Sequence, residues 1–143
     1  MFDEPVRNVM RQREALKATP ETLVSEAARL MAAKKAGAIM VVEGDRLVGI
    51  FTERDVVFRV VAQGLDARAT RIVDVMTCAP YTVGPDEPFG YALLVMHEKG
   101  LRYLPVVQHG KPIGIVSPRA AMDPELEEFA SEESRRKSFK KKR

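Results

Sequence analysis

The 143-residue chain has one cysteine, two histidines, and no apolar run near the roughly 18 residues that a membrane-spanning helix needs. A single thiol, Cys78, cannot close an intramolecular disulfide, which fits a reducing cytoplasm. Cys78 falls just before Pro80 with no histidine near it in sequence, so it reads as a small surface or linker residue rather than a nucleophile. His97 and His109 stand in unrelated settings, without the Cys or acidic neighbours that metal ligation requires. Both read as surface histidines. The opening Met1-Phe2-Asp3-Glu4-Pro5 lacks the charged start and apolar core of a signal peptide. Enzyme signatures are missing too: no Walker loop, no Gly-x-Ser-x-Gly elbow, no zinc-ligand spacing and no dinucleotide fingerprint. The chemistry to expect is binding, not catalysis.

What is present is a core-forming composition with a lopsided charge. Hydrophobic residues make up 45% of the chain, enough for an ordinary globular core. The net charge of +3 misleads, because residues 134–143 hold seven basic residues and no acid; without them the remainder carries −4. The body is mildly acidic and the tail strongly basic. A segment rich in Glu from Glu125 to Glu133 separates the two, and like-charge runs of this kind are expected to be solvated and mobile. The tail from Arg135 to Arg143 could neutralise several phosphates of a nucleic acid, but it has one aromatic, Phe139, and no reading motif.

The body repeats itself. Offset by 65 positions, Gly49-Ile50-Phe51-Thr52-Glu53-Arg54-Asp55 overlays Gly114-Ile115-Val116-Ser117-Pro118-Arg119-Ala120. The same offset puts Val41-Val42 on Val106-Val107, Pro20 on Pro85, Ala27 on Ala92 and Met31 on Met96. With one residue of slip, Val6 to Met10 overlays Ile72 to Met76. This divides the chain into a first repeat with its lead-in helix (4–65), a link (66–71), a second repeat (72–123) and the charged extension (124–143). Each repeat should contain a short lead-in helix, a brief extended piece, an amphipathic helix, two apolar strands and a closing helix. The strands are expected over 39–42, 47–51, 104–107 and 113–116, joined by the turns Glu43-Gly44-Asp45 and Gln108-His109-Gly110. Thr19-Pro20 and Gly84-Pro85-Asp86 are placed at the helix starts, Gly37 at the left-handed end of the first helix, and Gly100 at the end of the second. Recurring Met10, Met31, Met76 and Met96 read as core filler.

Thr52-Glu53-Arg54-Asp55 has the spacing of a capping box, which explains it structurally. It could also serve an anion and its sugar, with Thr52 donating to a phosphate, Arg54 adding charge and Asp55 accepting from ribose hydroxyls. The second copy keeps the hydroxyl as Ser117 but has Ala120 in place of the carboxylate, so Asp55 is the feature that a cap alone does not require.

The order of segments, the Val-Met close of each lead-in helix, Arg102-Tyr103-Leu104-Pro105-Val106-Val107 and the Gly-x-x-Thr/Ser strand ends resemble the cystathionine-β-synthase (CBS) domain pair, or Bateman module, over residues 4 to 123. The resemblance implies an α/β (α+β) fold of two pseudo-symmetric halves, each a small sheet packed by two helices. It further implies a regulatory ligand, an adenine nucleotide (AMP, ADP or ATP), in a cleft between the halves, with S-adenosylmethionine or a dinucleotide as other ligands that related pairs accept. Carried onto this chain, that cleft would use Ile50, Thr52, Arg54 and Asp55 from the first half. Tyr81, Arg102, Tyr103 and Arg119 would come from the second. The other cleft, around Ser117 with Leu16, Ala38 and Arg54, lacks the ribose carboxylate and has Gly37 where the complete cleft has Arg102. It is expected to be empty, weak or used by a different ligand. The resemblance also implies a flat homodimer, with Ala27, Leu30, Met31, Ala92, Leu93 and Met96 in the interface, that signals to a protein partner. A ligand-free dimerisation module and a nucleic-acid-associated protein acting through the tail are the competing readings.

Overall fold

Two β-hairpins, one per repeat, carry the fold, and their registers are the same to the residue. In the first, β2 (Ala38–Glu43) pairs antiparallel with β3 (Arg46–Thr52), matching Ile39 with Phe51 and Val41 with Gly49. In the second, β5 (Leu104–Gln108) pairs with β6 (Lys111–Val116), matching Leu104 with Val116 and Val106 with Gly114. Adding 65 converts every pair of the first hairpin except Ala38–Thr52 into a pair of the second. Even the irregularity repeats: the register slips between Val41 and Val42, and again between Val106 and Val107. A glycine sits at each slip, and at Gly49 a side chain would collide with the thioether of Met76. The second turn has both His109 and Gly110 at positive φ, the conformation that suits a tight hairpin.

The computed structural model describes residues 2–10 and 15–117. Around the first hairpin, β1 (Leu16–Ala18) adds parallel to β2, and β4 (Thr77–Cys78) adds antiparallel to β3, giving a four-stranded sheet in the order β1-β2-β3-β4. In the second half the counterpart of β1 shrinks to one parallel bridge, Val83 with Val106, which is the Ala18–Val41 pairing displaced by 65. Helix α1 (Val24–Lys34) covers the first sheet through Val24, Ala27 and Met31; α3 (Phe89–Lys99) covers the second through Phe89, Ala92 and Met96. After β3 comes a single turn, α2 (Glu53–Asp55), that runs on as a π-helical stretch, Val56–Val61.

The short lead-in segments cross over. Ile72, Val75 and Met76, which open the second repeat, pack into the first core with Phe51, Ile39 and Val24. Val6 does the reverse, joining Phe89, Leu104 and Val116 in the second core, with Val9 and Met10 against it. The backbone repeats the exchange. Ile72 N–H donates to Thr22 and Val24 N–H to Thr70, while Val6 N–H donates to Glu87 and Phe89 N–H to Glu4. Each half is therefore completed by the other's opening residues.

Several local expectations are corrected. The lead-in helices are single 3-10 turns, Val6–Asn8 and Ile72–Asp74. Thr19-Pro20 and Gly84-Pro85-Asp86 form turns ahead of the helices, which begin at Val24 and Phe89 behind Leu23 and Pro88. No side-chain cap is needed there, because the other half's backbone takes the first N–H groups. Ser25 donates to Ala67, in the link, and Gly90 to Phe2. The left-handed end of α1 is Lys35, not Gly37; at α3 it is Gly100, as expected. Ala27, Met31, Ala92 and Met96 are internal, spent on each half's own core rather than left for a partner. Of the expected interface residues Leu30 stays exposed and Leu93 packs partly against the second core, while the other exposed large apolar side chains include Val57, Phe58, Val61, Leu65, Tyr91 and Leu94. The methionines do fill core, with Met31, Met76 and Met96 all buried. Among the described residues, no helix is long and apolar enough to cross a membrane. Pro118, Arg119, Ala120, the closing helix of the second repeat and the whole charged extension lie outside the described residues.

Candidate functional site

At the end of β3 the chain leaves the sheet at Thr52, whose extended backbone (φ −122°, ψ 166°) turns into α2. The capping box forms in full. Asp55 Oδ2 accepts from Thr52 N–H at 2.9 Å and lies 3.3 Å from Thr52 Oγ1, while Thr52 Oγ1 accepts from Asp55 N–H at 3.4 Å. The other carboxylate oxygen, Oδ1, lies 3.5 Å from Arg59 Nε, one helical turn on. Asp55 is the buried charged residue of the described chain, at 8% exposure. Burying a carboxylate requires hydrogen bonds and a counter-charge, and the Thr52 groups and Arg59 supply both.

Beside this turn a cavity of about 760 Å³ opens between the two halves. From the first half it is lined by Ile50, Thr52, Glu53, Arg54, Asp55, Phe58 and Arg59; from the second by Thr77, Pro80, Tyr81, Leu101, Arg102 and Tyr103. Every sequence-predicted residue of the complete cleft that is described, from Ile50 through Tyr103, is therefore brought to one wall or another. Arg119 alone is outside the described residues. Three arginines face two acids, Glu53 and Asp55, in this lining. Two of the cleft's aromatic rings carry cations: the Arg54 guanidinium lies 5.0 Å from the Phe58 ring centre, and Lys99 Nζ lies 5.2 Å from that of Tyr81. The cleft thus offers apolar and aromatic surface, a held carboxylate, and positive charge.

A second cavity, of about 670 Å³, lies on the other side of α2. Ala38 and Ser117 line it as expected, with Gly37, Lys35, Met31 and Ile115. Two expected residues do not. Leu16 is turned onto the first core by its place in β1, and Arg54 lines the first cavity instead. Glu53, Val57 and Tyr103 line both cavities and form the wall between them. The Tyr103 hydroxyl lies where a Cβ on Gly37 would be, with a carboxylate oxygen of Glu53 2.9 Å from that point. Gly37 stands opposite Arg102 in the repeat because a side chain there would displace Tyr103.

Sequence reasoning missed Arg59 and Phe58. Arg59 carried a usable signal, the Asp-to-Arg spacing of four on one helix. The repeat comparison passed over it because the matching position in the second copy is Pro124.

Comparison with known proteins agrees with this architecture. The CBS domain is matched twice, over residues 6–62 and 72–123. The chain is 37% identical to the Meiotically up-regulated gene 70 protein of Schizosaccharomyces pombe, over 92% of its own length and 21% of that protein. It is 34% identical to an uncharacterised protein of Methanopyrus kandleri, over 90% of its length and 66% of the relative. The chain thus spans a fifth and two thirds, respectively, of these relatives. Among solved structures, a putative signal-transduction protein with CBS domains from Burkholderia ambifaria superposes with a TM-score of 0.77 at 34% identity, covering 82% of this chain and 90% of that one. A CBS domain protein from Pyrobaculum aerophilum, solved in complex with AMP, gives 0.78 at 24% identity over 90% and 99%. The CBS domain pair of protein MJ0100, in complex with 5′-methylthioadenosine and S-adenosyl-L-methionine, gives 0.74 at 24% identity over 82% and 95%. With a doubled hairpin, exchanged lead-in turns and both halves matched, the chain belongs to the CBS-domain family as a tandem pair.

Proposed function

We propose that this CBS pair is a regulatory module that binds an adenine nucleotide, AMP, ADP or ATP, in the 760 Å³ cleft and passes its state to a protein partner. The observation that carries the reading is the buried Asp55 carboxylate lining a cleft that also holds Arg54, Arg102 and Tyr81. A carboxylate suits ribose hydroxyls, guanidinium groups suit phosphates, and Ile50, Pro80 and Tyr81 offer flat or apolar surface to a base. Arg119 is assigned to the phosphates by its place in the repeat. Two CBS pairs of the same fold hold adenosine compounds, which supports the ligand class. Net positive charge in the lining favours a phosphorylated nucleotide over a neutral nucleoside. The second cavity lacks a carboxylate at position 120 and is narrowed by Tyr103, so we assign it no nucleotide.

The functional unit is assigned as a homodimer. Leu30 on α1, Val57 and Val61 on the π-helical stretch and Leu65 just beyond it expose apolar surface, and a two-fold contact would cover it on both copies.

The test is mass spectrometry of small molecules released from natively purified protein, followed by calorimetric titration with AMP, ATP and S-adenosylmethionine. Release or binding of an adenine nucleotide supports the reading. Tight binding of S-adenosylmethionine with no response to AMP or ATP would replace it.

A further inference from the structure

Arg59 lines the nucleotide cleft with Arg54 and Arg102, yet its guanidinium is already engaged. Nε lies 3.5 Å from Asp55 Oδ1, and Nη1 donates to the carbonyl oxygens of Val75 at 3.3 Å and Met76 at 3.0 Å. Those carbonyls follow the 3-10 turn Ile72–Asp74, whose last groups have no partner within the turn. Arg59 therefore spans the joint between the halves, holding a first-half carboxylate and a second-half turn at once. All three arginines are exposed, but Arg54 lies over the Phe58 ring and Arg102 stands at the other wall.

One oxygen of the Asp55 carboxylate is equally committed. A carboxylate has about four lone-pair positions. Thr52 N–H and Thr52 Oγ1 both donate to Oδ2, while the Arg59 guanidinium stands beside Oδ1 as an ion pair at 3.5 Å. Among the described residues no hydrogen bond reaches Oδ1, so it is the oxygen left open to a ligand. Building on the nucleotide reading above, we propose that Arg59 is a positioning residue for ribose recognition and not a phosphate ligand. Its charge and its carbonyl contacts hold the Asp55 carboxylate so that Oδ1 is the oxygen offered to the ribose hydroxyls.

Two affinity ratios separate these roles. The ratio of AMP to 2′,3′-dideoxy-AMP reports ribose recognition; the ratio of AMP to adenosine reports phosphate recognition. Both are measured by titration calorimetry on the full chain, for wild type, Arg59→Gln and Arg59→Lys. In wild type the ribose ratio should be at least about tenfold, as expected for a charge-assisted hydrogen bond to Oδ1. In Arg59→Gln the ribose ratio should fall several-fold while the phosphate ratio stays within about twofold of wild type, because Arg54 and Arg102 are untouched. Arg59→Lys keeps the charge but cannot span the carboxylate and two carbonyls together, so its ribose ratio should fall as well. It also carries the comparison should the glutamine variant not fold. A collapsed phosphate ratio with the ribose ratio intact would make Arg59 a phosphate ligand. Unchanged ratios in both variants, or full recovery with lysine, would equally overturn the proposal. Loss of AMP binding in wild type itself would instead overturn the nucleotide reading, and this inference with it.

Discussion

Replacing Asp55 by alanine makes the first half match the second, where position 120 is already alanine. Two quantities should change, by different amounts. In the free protein the variant loses the acceptor for Thr52 N–H and the partner of Arg59 Nε. Thr52 still caps the turn, so the missing carboxylate arm of the box costs at most about 1 kcal/mol. The ion pair adds only about 0.3–0.5 kcal/mol, because the Arg59 side chain is half exposed and screened. Together these lower the melting temperature by about 5 °C. Binding suffers separately: a ribose hydroxyl loses a charged acceptor worth about 1.5–3 kcal/mol, or roughly ten- to more than a hundred-fold in affinity. Asp55→Asn divides the two effects. Its amide oxygen can still cap Thr52 N–H, so stability is largely kept, while its NH2 group places a donor beside the Arg59 donors and the loss of affinity persists. Titration of AMP well below the melting temperature, with the melts run in parallel, is the assay. Equal AMP affinity in wild type and both variants would show that Asp55 only starts a helix, and the site assignment would fail.

Other substitutions test the architecture. Gly37→Ala places a Cβ on the Tyr103 hydroxyl and should cost about 1–3 kcal/mol by overpacking, read as a lower denaturation midpoint. Lys35→Gly removes a side chain from left-handed backbone (φ 53°), as Gly100 does in the other half, and should raise stability by about 0.5–1 kcal/mol in the same assay. Ile72→Ala, although it lies in the second repeat, should open a cavity in the first core costing about 2–5 kcal/mol, with exchange protection falling most in β2 and β3. Val61→Lys should shift light-scattering mass from twice the chain mass to one, since Val61 is two-thirds exposed and apolar in the single chain.

The elements legible in the sequence were those that the repeat states twice. Offset matching placed both hairpins, and the structure returns the same partners for Ile39–Phe51 and Leu104–Val116. It also singled out Asp55, through its absence at position 120. Helix starts were not legible, because the groups that cap them belong to the other half. Val24 and Phe89 donate to carbonyls of Thr70 and Glu4, and no local side-chain signal marks a backbone cap of that kind. The apolar faces of α1 and α3 were legible, but not what they cover. Periodicity shows that Ala27 and Met31 share a face; it does not say whether that face meets its own sheet or another chain. Gly37 was read as a cap when its real constraint is the Tyr103 hydroxyl, a residue 66 positions away.

The exchanged lead-in turns bear on how such a chain could have arisen. A lone half would have a groove shaped for Ile72, Val75 and Met76 with nothing to fill it, and its own Val6 turn would have no groove to enter. A stable monomeric half is therefore an improbable starting material for duplication. The ancestor that this geometry implies is two identical copies lending each other their opening residues. In one chain the exchange runs within a molecule, and the two copies of the motif are free to differ, as they do in carrying Asp55 in one and Ala120 in the other.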